Sequence, residues 1–541
     1  MYIFEQPSTE LLMSKLVLLG DEAVAQGALD AGLSGVYAYP GTPSTEITEY
    51  IQRSGQARQR NVHADWSVNE KTALEAALGM SYAGKRSMAC MKHVGLNVAA
   101  DPFMNAALTG VSGGLLVVAA DDPSMHSSQN EQDSRFYGKF AMIPVLEPSS
   151  QQEAYDLTRY GFGLSEKFRL PVMIRVTTRL AHSRSAVIRS AAREENSMAL
   201  PANLRQFILL PALARKKFKL LLSTFEELEE EGKSSGLNRL EKGTGKKRGV
   251  IACGLAYNYY REVAEMHRLD DPVLKISQYP VHPELLRNFV NAVEEVFVLE
   301  EGYPLVEESL RGVLESRYVI RGRMDGALPR DGELNPSLVE KALGVREGQP
   351  VTVPEIVKDR PPALCNGCGH IDMFKALNEA IADYGPGRVF SDIGCYTLGA
   401  LPPYNAINSC VDMGASVTMA KGAADAGMFP SVAVIGDSTF THSGMTGLLD
   451  AVLEASPVTV IISDNSTTGM TGGQKSHATG RLVEICGGLG VEKEHVRVMI
   501  PLRKNHDKNV AIIREELAHQ GVSVVISQRE CIQMVRKKRV S

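Results

Sequence analysis

The chain has 541 residues, a formal charge of −5, 44% hydrophobic and 22% charged residues. These values describe an ordinary globular protein of several domains and exclude a disordered chain. The mild negative balance gives no polybasic footprint for nucleic acid or an anionic membrane, and no run approaches 18 uninterrupted apolar residues. The N-terminus, Met1-Tyr-Ile-Phe-Glu-Gln-Pro-Ser8, lacks a basic region followed by an apolar core, so a cytoplasmic location is expected.

From 14 to 185, β-like runs (Lys15–Leu19, Gly35–Tyr39, Gly114–Ala120, Val172–Val176) alternate with helix-like segments. That alternation predicts a parallel sheet covered by helices. The loop Tyr39-Pro-Gly-Thr-Pro-Ser44 offers Gly41 and the Thr42 hydroxyl after a strand, suited to a carboxylate or carbonyl oxygen, or merely to capping the next helix. A helix over Asn69–Tyr82 is dense in Ala and Leu and is expected to be buried. Glu70 stands in its first turn, where the helix dipole favours any carboxylate; a buried Glu there can also hold and share a proton. Lys92-His93 and Asp121–His126 end β-like runs, where the sites of α/β proteins lie, although each taken alone is better explained as structural than as catalytic.

Residues 186–247 read as a linker or insertion carrying a solvated helix, with the acidic run Phe225–Gly232 leading to a Lys- and Gly-rich stretch through Arg248. A smaller α/β unit follows at 248–345, with strand-like runs Gly249–Gly254, Val273–Ser277 and Glu295–Glu301. A polar, Pro-containing connection leads to a third block, 355–541, with strand-like runs Arg388–Phe390, Ser431–Ile435 and Val458–Ser463. The expected fold class is therefore multi-domain α/β.

The third block holds the strongest chemistry. One β-rich run ends in Gly436-Asp437-Ser438-Thr439, a helix-like segment follows, and a second run ends in Asp464-Asn465. Oxygens from Asp437 and the Asn465 amide can hold one Mg²⁺ against a diphosphate, because Mg²⁺ takes few carboxylates when phosphates supply charge. Either pair alone is also a common turn. Gly444 and Gly447 are expected to let backbone approach phosphate. Of eight cysteines, Cys365 and Cys368 form a C-x₂-C pair, with Cys395 and Cys531 as further thiolates for an iron-sulfur cluster or zinc. Cys90, Cys253, Cys410 and Cys486 lack partner spacing and read as core thiols.

The phrases Tyr-Pro-Gly-Thr-Pro-Ser-Thr-Glu (39–46), Val-Asn-Glu-Lys (68–71), Met-Lys-His-Val-Gly-Leu-Asn-Val (91–98), Asp-Ile-Gly-Cys-Tyr (392–396) and Gly-Asp-Ser-Thr-Phe (436–440) resemble the pyruvate:ferredoxin oxidoreductase superfamily. The nearest likeness is to the α subunits of indolepyruvate:ferredoxin oxidoreductases. The resemblance implies a pyrimidine-binding thiamine diphosphate domain, a central transketolase-C-terminal-like domain and a diphosphate-binding domain. It implies that Thr42 lines the substrate site, Glu70 hydrogen-bonds the thiamine aminopyrimidine, and Asp437, Asn465 and Thr467 hold Mg²⁺. His93 joins Glu70 and Thr42 as a candidate catalytic residue. Gly41, Glu70, Gly394, Tyr396, Gly414, Gly436, Asp437, Ser438, Thr439, Asn465, Gly469 and Met470 form the expected cofactor-contacting set. Cys365, Cys368, Cys395 and Cys531 match the cysteines that hold a [4Fe-4S] cluster.

The reaction implied is oxidative decarboxylation of an aryl 2-oxo acid with coenzyme A, by a hetero-oligomer of a β subunit and a dimeric α subunit. Members of the family usually continue into a cysteine-rich ferredoxin-like domain, whereas this sequence stops at Ser541. A separate ferredoxin-type partner or another acceptor is accordingly expected to take the electrons. Two rival readings remain: a non-oxidative thiamine-dependent decarboxylase or carboligase, and a zinc-stabilised α/β scaffold.

Overall fold

A computed structural model describes residues 15–201, 203, 205–312, 318–345, 354–358 and 362–540. The Met1–Ser8 segment, residue 14 of the first expected domain, residues 346–353 and 359–361 of the polar connection, and Ser541 lie outside the described residues. The chain folds as two compact units divided between Val351 and Thr352.

The first unit is built on a seven-stranded sheet. Its strand order is Gln278–Tyr279, Val145–Leu146, Val172–Thr177, Leu115–Asp121, Ser87–Lys92, Gly35–Ala38, His63–Trp66. All neighbours are parallel except the first pair. Ser87–Lys92 and Leu115–Asp121 are buried along their whole length. Met88, Cys90, Leu116 and Val118 enter one apolar cluster, Ala89, Met91, Val117 and Ala119 the other. A parallel sheet covered on both faces requires such unbroken apolar strands.

A second sheet in this unit has the order Val319–Arg321, Glu295–Leu299, Arg248–Cys253, Val273–Ile276, Arg239–Glu241, with the last strand antiparallel. Ile251, Ile276, Val296 and Val298 from one of its faces join the apolar cluster that covers the first sheet. That shared core makes the two sheets one unit. A buried charge network reinforces it. Arg135 reaches Asp133 (2.5 Å) and Glu300 (2.9 Å), and Arg175 reaches Asp121 (2.6 Å) and Glu147. Tyr279 donates its hydroxyl to Glu147 (2.8 Å).

Several local expectations change. Lys15–Leu19 is not in the parallel sheet; it pairs antiparallel with Arg184–Ile188, leaving Val17 69% exposed. The expected linker contains a 24-residue helix, Pro211–Ser234, whose Leu221, Leu228 and Gly232 face inward, and the edge strand Arg239–Glu241. The acidic face that reads as solvated is partly spent on ion pairs, Glu231 with Lys167 and Glu230 with His282 (2.8 Å).

The second unit is a five-stranded parallel sheet ordered Val389–Ser391, Ser431–Gly436, Val458–Asp464, Ser523–Gln528, Val496–Met499. Val432 and Val434 pack under the helices Gly369–Ile381 and His506–Leu517, Ala433 and Ile435 under Ala415–Asp425 and Met445–Leu453. The carboxyl ends of its two central strands Ser431–Gly436 and Val458–Asp464 thus lie side by side, with Gly436 opposite Ser463.

Candidate active site

In the second unit the chain leaves Gly436 directly into helical turns, Asp437–Thr439, then a π-type segment Phe440–Gly444, then the helix Met445–Leu453. Such a helix start after a strand presents free backbone donors to an anion, and π insertions recur at functional sites. Asp437 is 2% exposed, and its Oδ2 has no hydrogen-bond partner among the described residues. Burial, with Asp464 nearby, pushes its carboxyl up to about 7. A buried carboxylate oxygen without a partner is costly unless a cation or proton meets it. Ser438 Oγ lies 3.0 Å from Thr468 Oγ1, and Thr439 donates to the Ile393 carbonyl (3.2 Å).

The loop after Asp464 is tightly organised. Asp464 accepts from the Ser466 N–H (3.1 Å) and the Gln528 amide (3.0 Å), and Asn465 Oδ1 accepts from the Thr467 N–H (3.1 Å). Ser466 takes φ +61°, and Thr467–Thr468 pairs with Gln474–Lys475. Asp437, Asn465 and the Thr467 backbone carry oxygens of the hard type that Mg²⁺ takes.

Glycines frame this region for steric reasons. A Cβ on Gly394 or Gly436 would strike the Tyr396 ring, and one on Gly414 (φ +92°) would meet Ser443. The Tyr396 hydroxyl is itself engaged, by Asp392 and the Ile393 carbonyl (3.2 Å). Asp392 also accepts from Ser416 Oγ (2.5 Å), and burial raises its carboxyl to about 6. A Cβ on Gly444 would hit Ile435 and Phe440 and one on Gly447 would hit Thr418, so packing also requires glycine at both positions. Gly469 and Met470 lie at the surface.

The four candidate cysteines line one cavity of about 130 Å³, together with Asn465, Gly469, His370 and Arg529, several times the space one water needs. Cys365 and Cys368 are joined by a backbone hydrogen bond of 2.9 Å across the turn, with Gly367 at φ +82°. Burial and the neighbouring thiols of Cys368, Cys531 and Cys365 push the Cys395 thiol up to about 12. His370, which the motif reading passes over, has Nδ1 3.1 Å from Cys368 Sγ, and burial lowers its imidazole to about 4. The cavity shares a wall with the Asp464 loop. The Cys531 N–H donates to the Asn465 carbonyl (3.2 Å), and a Cβ on Gly469 would lie 3.1 Å from Cys395 Sγ. Of the other cysteines, Cys90, Cys253 and Cys486 are buried, and Cys410 is half-buried.

In the first unit, Glu70 opens the helix Glu70–Tyr82 with Asn69 as its cap, accepting from the Thr72 N–H (2.8 Å). Only one stripe of this helix, Glu70, Ala73, Leu74, Ala77 and Ser81, is buried, whereas Glu75, Ala76 and Gly79 are exposed. Glu70 is 5% exposed and closely covered: a Cβ on Gly95 would come 2.5 Å from its Oε1. The short helix His93–Val98 that carries Gly95 begins at the end of Ser87–Lys92. His93 is 1% exposed, with Nε2 3.2 Å from the Asn130 carbonyl. Gly41 lies against Lys92, its N–H donating to Thr45 Oγ1 (3.1 Å), and Thr42 accepts from Ser127 through its carbonyl (3.3 Å). Lys92 donates to the Ser127 carbonyl (2.6 Å), and burial lowers its amine to about 8. Thr42, Glu70 and His93 therefore gather around residues 92–95, whereas Asp121 and Asp122 are absorbed into structural bonds with Ser134, Arg175, Ser128 and Thr178.

A family profile described as pyruvate flavodoxin/ferredoxin oxidoreductase, thiamine diP-bdg, matches residues 26–209. A second, described as thiamine pyrophosphate enzyme, C-terminal TPP binding domain, matches residues 392–526. The fold and these matches define a thiamine-diphosphate-binding 2-oxoacid oxidoreductase. The indolepyruvate oxidoreductase subunit IorA of Archaeoglobus fulgidus is 42% identical over 96% of this chain and 86% of its own length. That of Pyrococcus horikoshii is 38% identical over 96% and 86%. The chain belongs to this family of indolepyruvate oxidoreductase catalytic α subunits. A solved structure, 2-oxoglutarate:ferredoxin oxidoreductase from Magnetococcus marinus with 2-oxoglutarate, coenzyme A and succinyl-CoA bound, shares the fold at a TM-score of 0.50 and 18% identity, over 61% of this chain and 65% of that one. Among the described residues, no helix is long and apolar enough to cross a membrane.

Proposed function

We propose that this α subunit oxidatively decarboxylates an aryl 2-oxo acid of the indolepyruvate or phenylpyruvate type, with coenzyme A as acyl acceptor. Cys365, Cys368, Cys395 and Cys531 would hold a [4Fe-4S] cluster, which would supply one-electron transfer. Residues 14–185 form the pyrimidine-binding domain, 186–247 an insertion, 248–345 the transketolase-C-terminal-like domain and 355–541 the diphosphate-binding domain. A β subunit completes a cytoplasmic hetero-oligomer containing a dimer of this chain, and a ferredoxin-type or other carrier accepts the electrons.

Thiamine diphosphate, when bound, supplies the electron sink for decarboxylation. The chain's own residues do the rest. Asp437, the Asn465 amide and the Thr467 carbonyl would hold Mg²⁺, with Asp437 Oδ2 available to the cation. Ser438 and Thr439 flank the diphosphate, and Gly394, Tyr396, Gly414 and Gly436 shape its bed. Glu70 holds a proton at N1′ of the aminopyrimidine. Thr42, beside Gly41, offers its hydroxyl to the substrate, and His93 stands at the same strand end.

The observation that carries the oxidative reading is one shared loop. Asn465 sits among the proposed Mg²⁺ ligands and also accepts the Cys531 N–H, and Gly469 touches Cys395. Anaerobic purification with the β subunit, followed by iron and sulfide analysis, EPR after dithionite and a screen of aryl and branched 2-oxo acids, tests the proposal. Four iron per chain and coenzyme-A-dependent acceptor reduction are expected; turnover without iron or acceptor would establish the non-oxidative alternative.

A further inference from the structure

Asp21, Glu46 and His182 converge in the first unit, and none of them has a part in the proposed chemistry. Asp21 is the second residue of the helix Gly20–Asp30, Glu46 lies in the first turn of Thr45–Arg53, and His182 ends Thr178–His182. A ligand atom from each lies within 4.8 Å of the others. The approach is built in by Gly20, where any Cβ would collide with the Leu180 backbone, so the helix bearing His182 packs directly onto the start of the one bearing Asp21.

Protein groups compensate this cluster only in part: Glu46 has His182 as an ion-pair partner, whereas Asp21 has no hydrogen-bond partner among the described residues. Asp21 is fully buried, and neither of its carboxylate oxygens has a hydrogen-bond partner among the described residues. Glu46 Oε2 is likewise buried without one, and His182 Nε2 stands 3.7 Å from it. Buried carboxylate oxygens are ordinarily hydrogen-bonded, paired or bound to a metal.

We propose that Asp21, Glu46 and His182 bind a divalent metal ion of the zinc type. Two carboxylates and a neutral imidazole balance the charge of such an ion, and three protein ligands leave a position for water at the partly exposed His182 side. The ion ties together three helix ends. One of them opens the helix entered directly from the Gly41–Thr42 loop, so the site braces that loop without touching its hydroxyl.

The test compares the full chain, purified anaerobically with its cluster intact, with His182→Gln and Asp21→Asn. His182 is a surface residue, so His182→Gln keeps the fold even where Asp21→Asn does not. After dialysis against EDTA and restoration of Mg²⁺, Zn²⁺ is titrated by calorimetry and melting temperature is followed. The wild-type chain is expected to take up one equivalent of Zn²⁺ more than either variant and to melt higher with it. The affinity lost in His182→Gln should be at least about 10–100-fold, the loss that disturbing even an outer partner of a metal ligand produces. Cluster thiolates and the Mg²⁺ site are identical in all three proteins, so they cancel. Equal Zn²⁺ uptake and unchanged melting across the three would overturn the proposal and leave a protonated Asp21 beside the Glu46–His182 ion pair. Failure of thiamine activity would leave this result untouched.

Discussion

Two sets of buried carboxylates in this molecule behave in opposite ways. In the first unit Asp121, Asp133, Glu147 and Glu300 are all but inaccessible, yet each meets a guanidinium of Arg135 or Arg175. In the second unit Asp437 is as deeply buried but keeps an oxygen without a partner. The first set is architecture, binding a sheet to its neighbour; the second has the form of a site whose counter-charge comes from outside the chain. Burial alone does not mark function; burial without protein compensation does.

Removing compensation from the first set should have the largest effect. Arg175→Leu takes the guanidinium from Asp121 and leaves Glu147 only the more distant Arg135 at 3.8 Å, and should cost about 3–5 kcal/mol, measured by urea unfolding of the purified chain. If it costs under about 1 kcal/mol, the pairing is not what makes these carboxylates structural. Glu70→Ala should lower turnover by roughly 10²–10⁴-fold, the usual scale for losing a positioned acid or base, while its circular dichroism stays unchanged; near-normal turnover removes Glu70 from the mechanism.

Asp437→Asn should abolish Mg²⁺-dependent thiamine diphosphate binding in calorimetry without lowering the stability of the cofactor-free chain, because the charge it removes is the uncompensated one. Loss of stability instead would move Asp437 to the structural class. The smallest effect concerns Glu301, an intermediate case. It is fully buried, accepts the Leu334 N–H (3.1 Å), lies 3.8 Å from Arg323, and is pushed by burial up to about 7. Since its folded value lies above the ordinary 4.5, the folded chain binds this proton more tightly than the unfolded one. Stability must therefore fall as pH rises from about 4.5 to about 7. Glu301→Gln should flatten that slope in melting temperature; an unchanged slope would assign it to other groups, Asp392 among them.

Much of the second unit's site is legible in the chain because its parts are local. Asp437 and Asn465 each stand within three residues of a β-branched run, so a strand end and a candidate ligand are read together, and the C-x₂-C turn carries its own glycine. The first unit resists such reading. Arg135 meets Glu300 across 165 residues and Arg175 meets Glu147 across 28, and nothing in the helix or strand that carries each arginine names its partner. Lys15–Leu19 shows the same difficulty: its apolar run is a good strand, but its partner, Arg184–Ile188, carries no pairing signal. Gly444 and Gly447 carry a packing demand that the chain does not announce, since a glycine near a phosphate motif and a glycine under a crossing helix are identical in sequence.

The sequence by itself determined the period of the strands, the positions where they end, and the residue types able to meet a diphosphate, a proton or a metal, because these are properties of contiguous stretches. Only the tertiary structure decided which of those groups are compensated: that Asp121 has an arginine, that Cys395 and Cys531 share a cavity wall with Asn465, and that Asp21 faces Glu46 and His182. Desolvation and Coulomb energy depend on what lies across space, and that is set by packing between elements rather than by the order of residues within one.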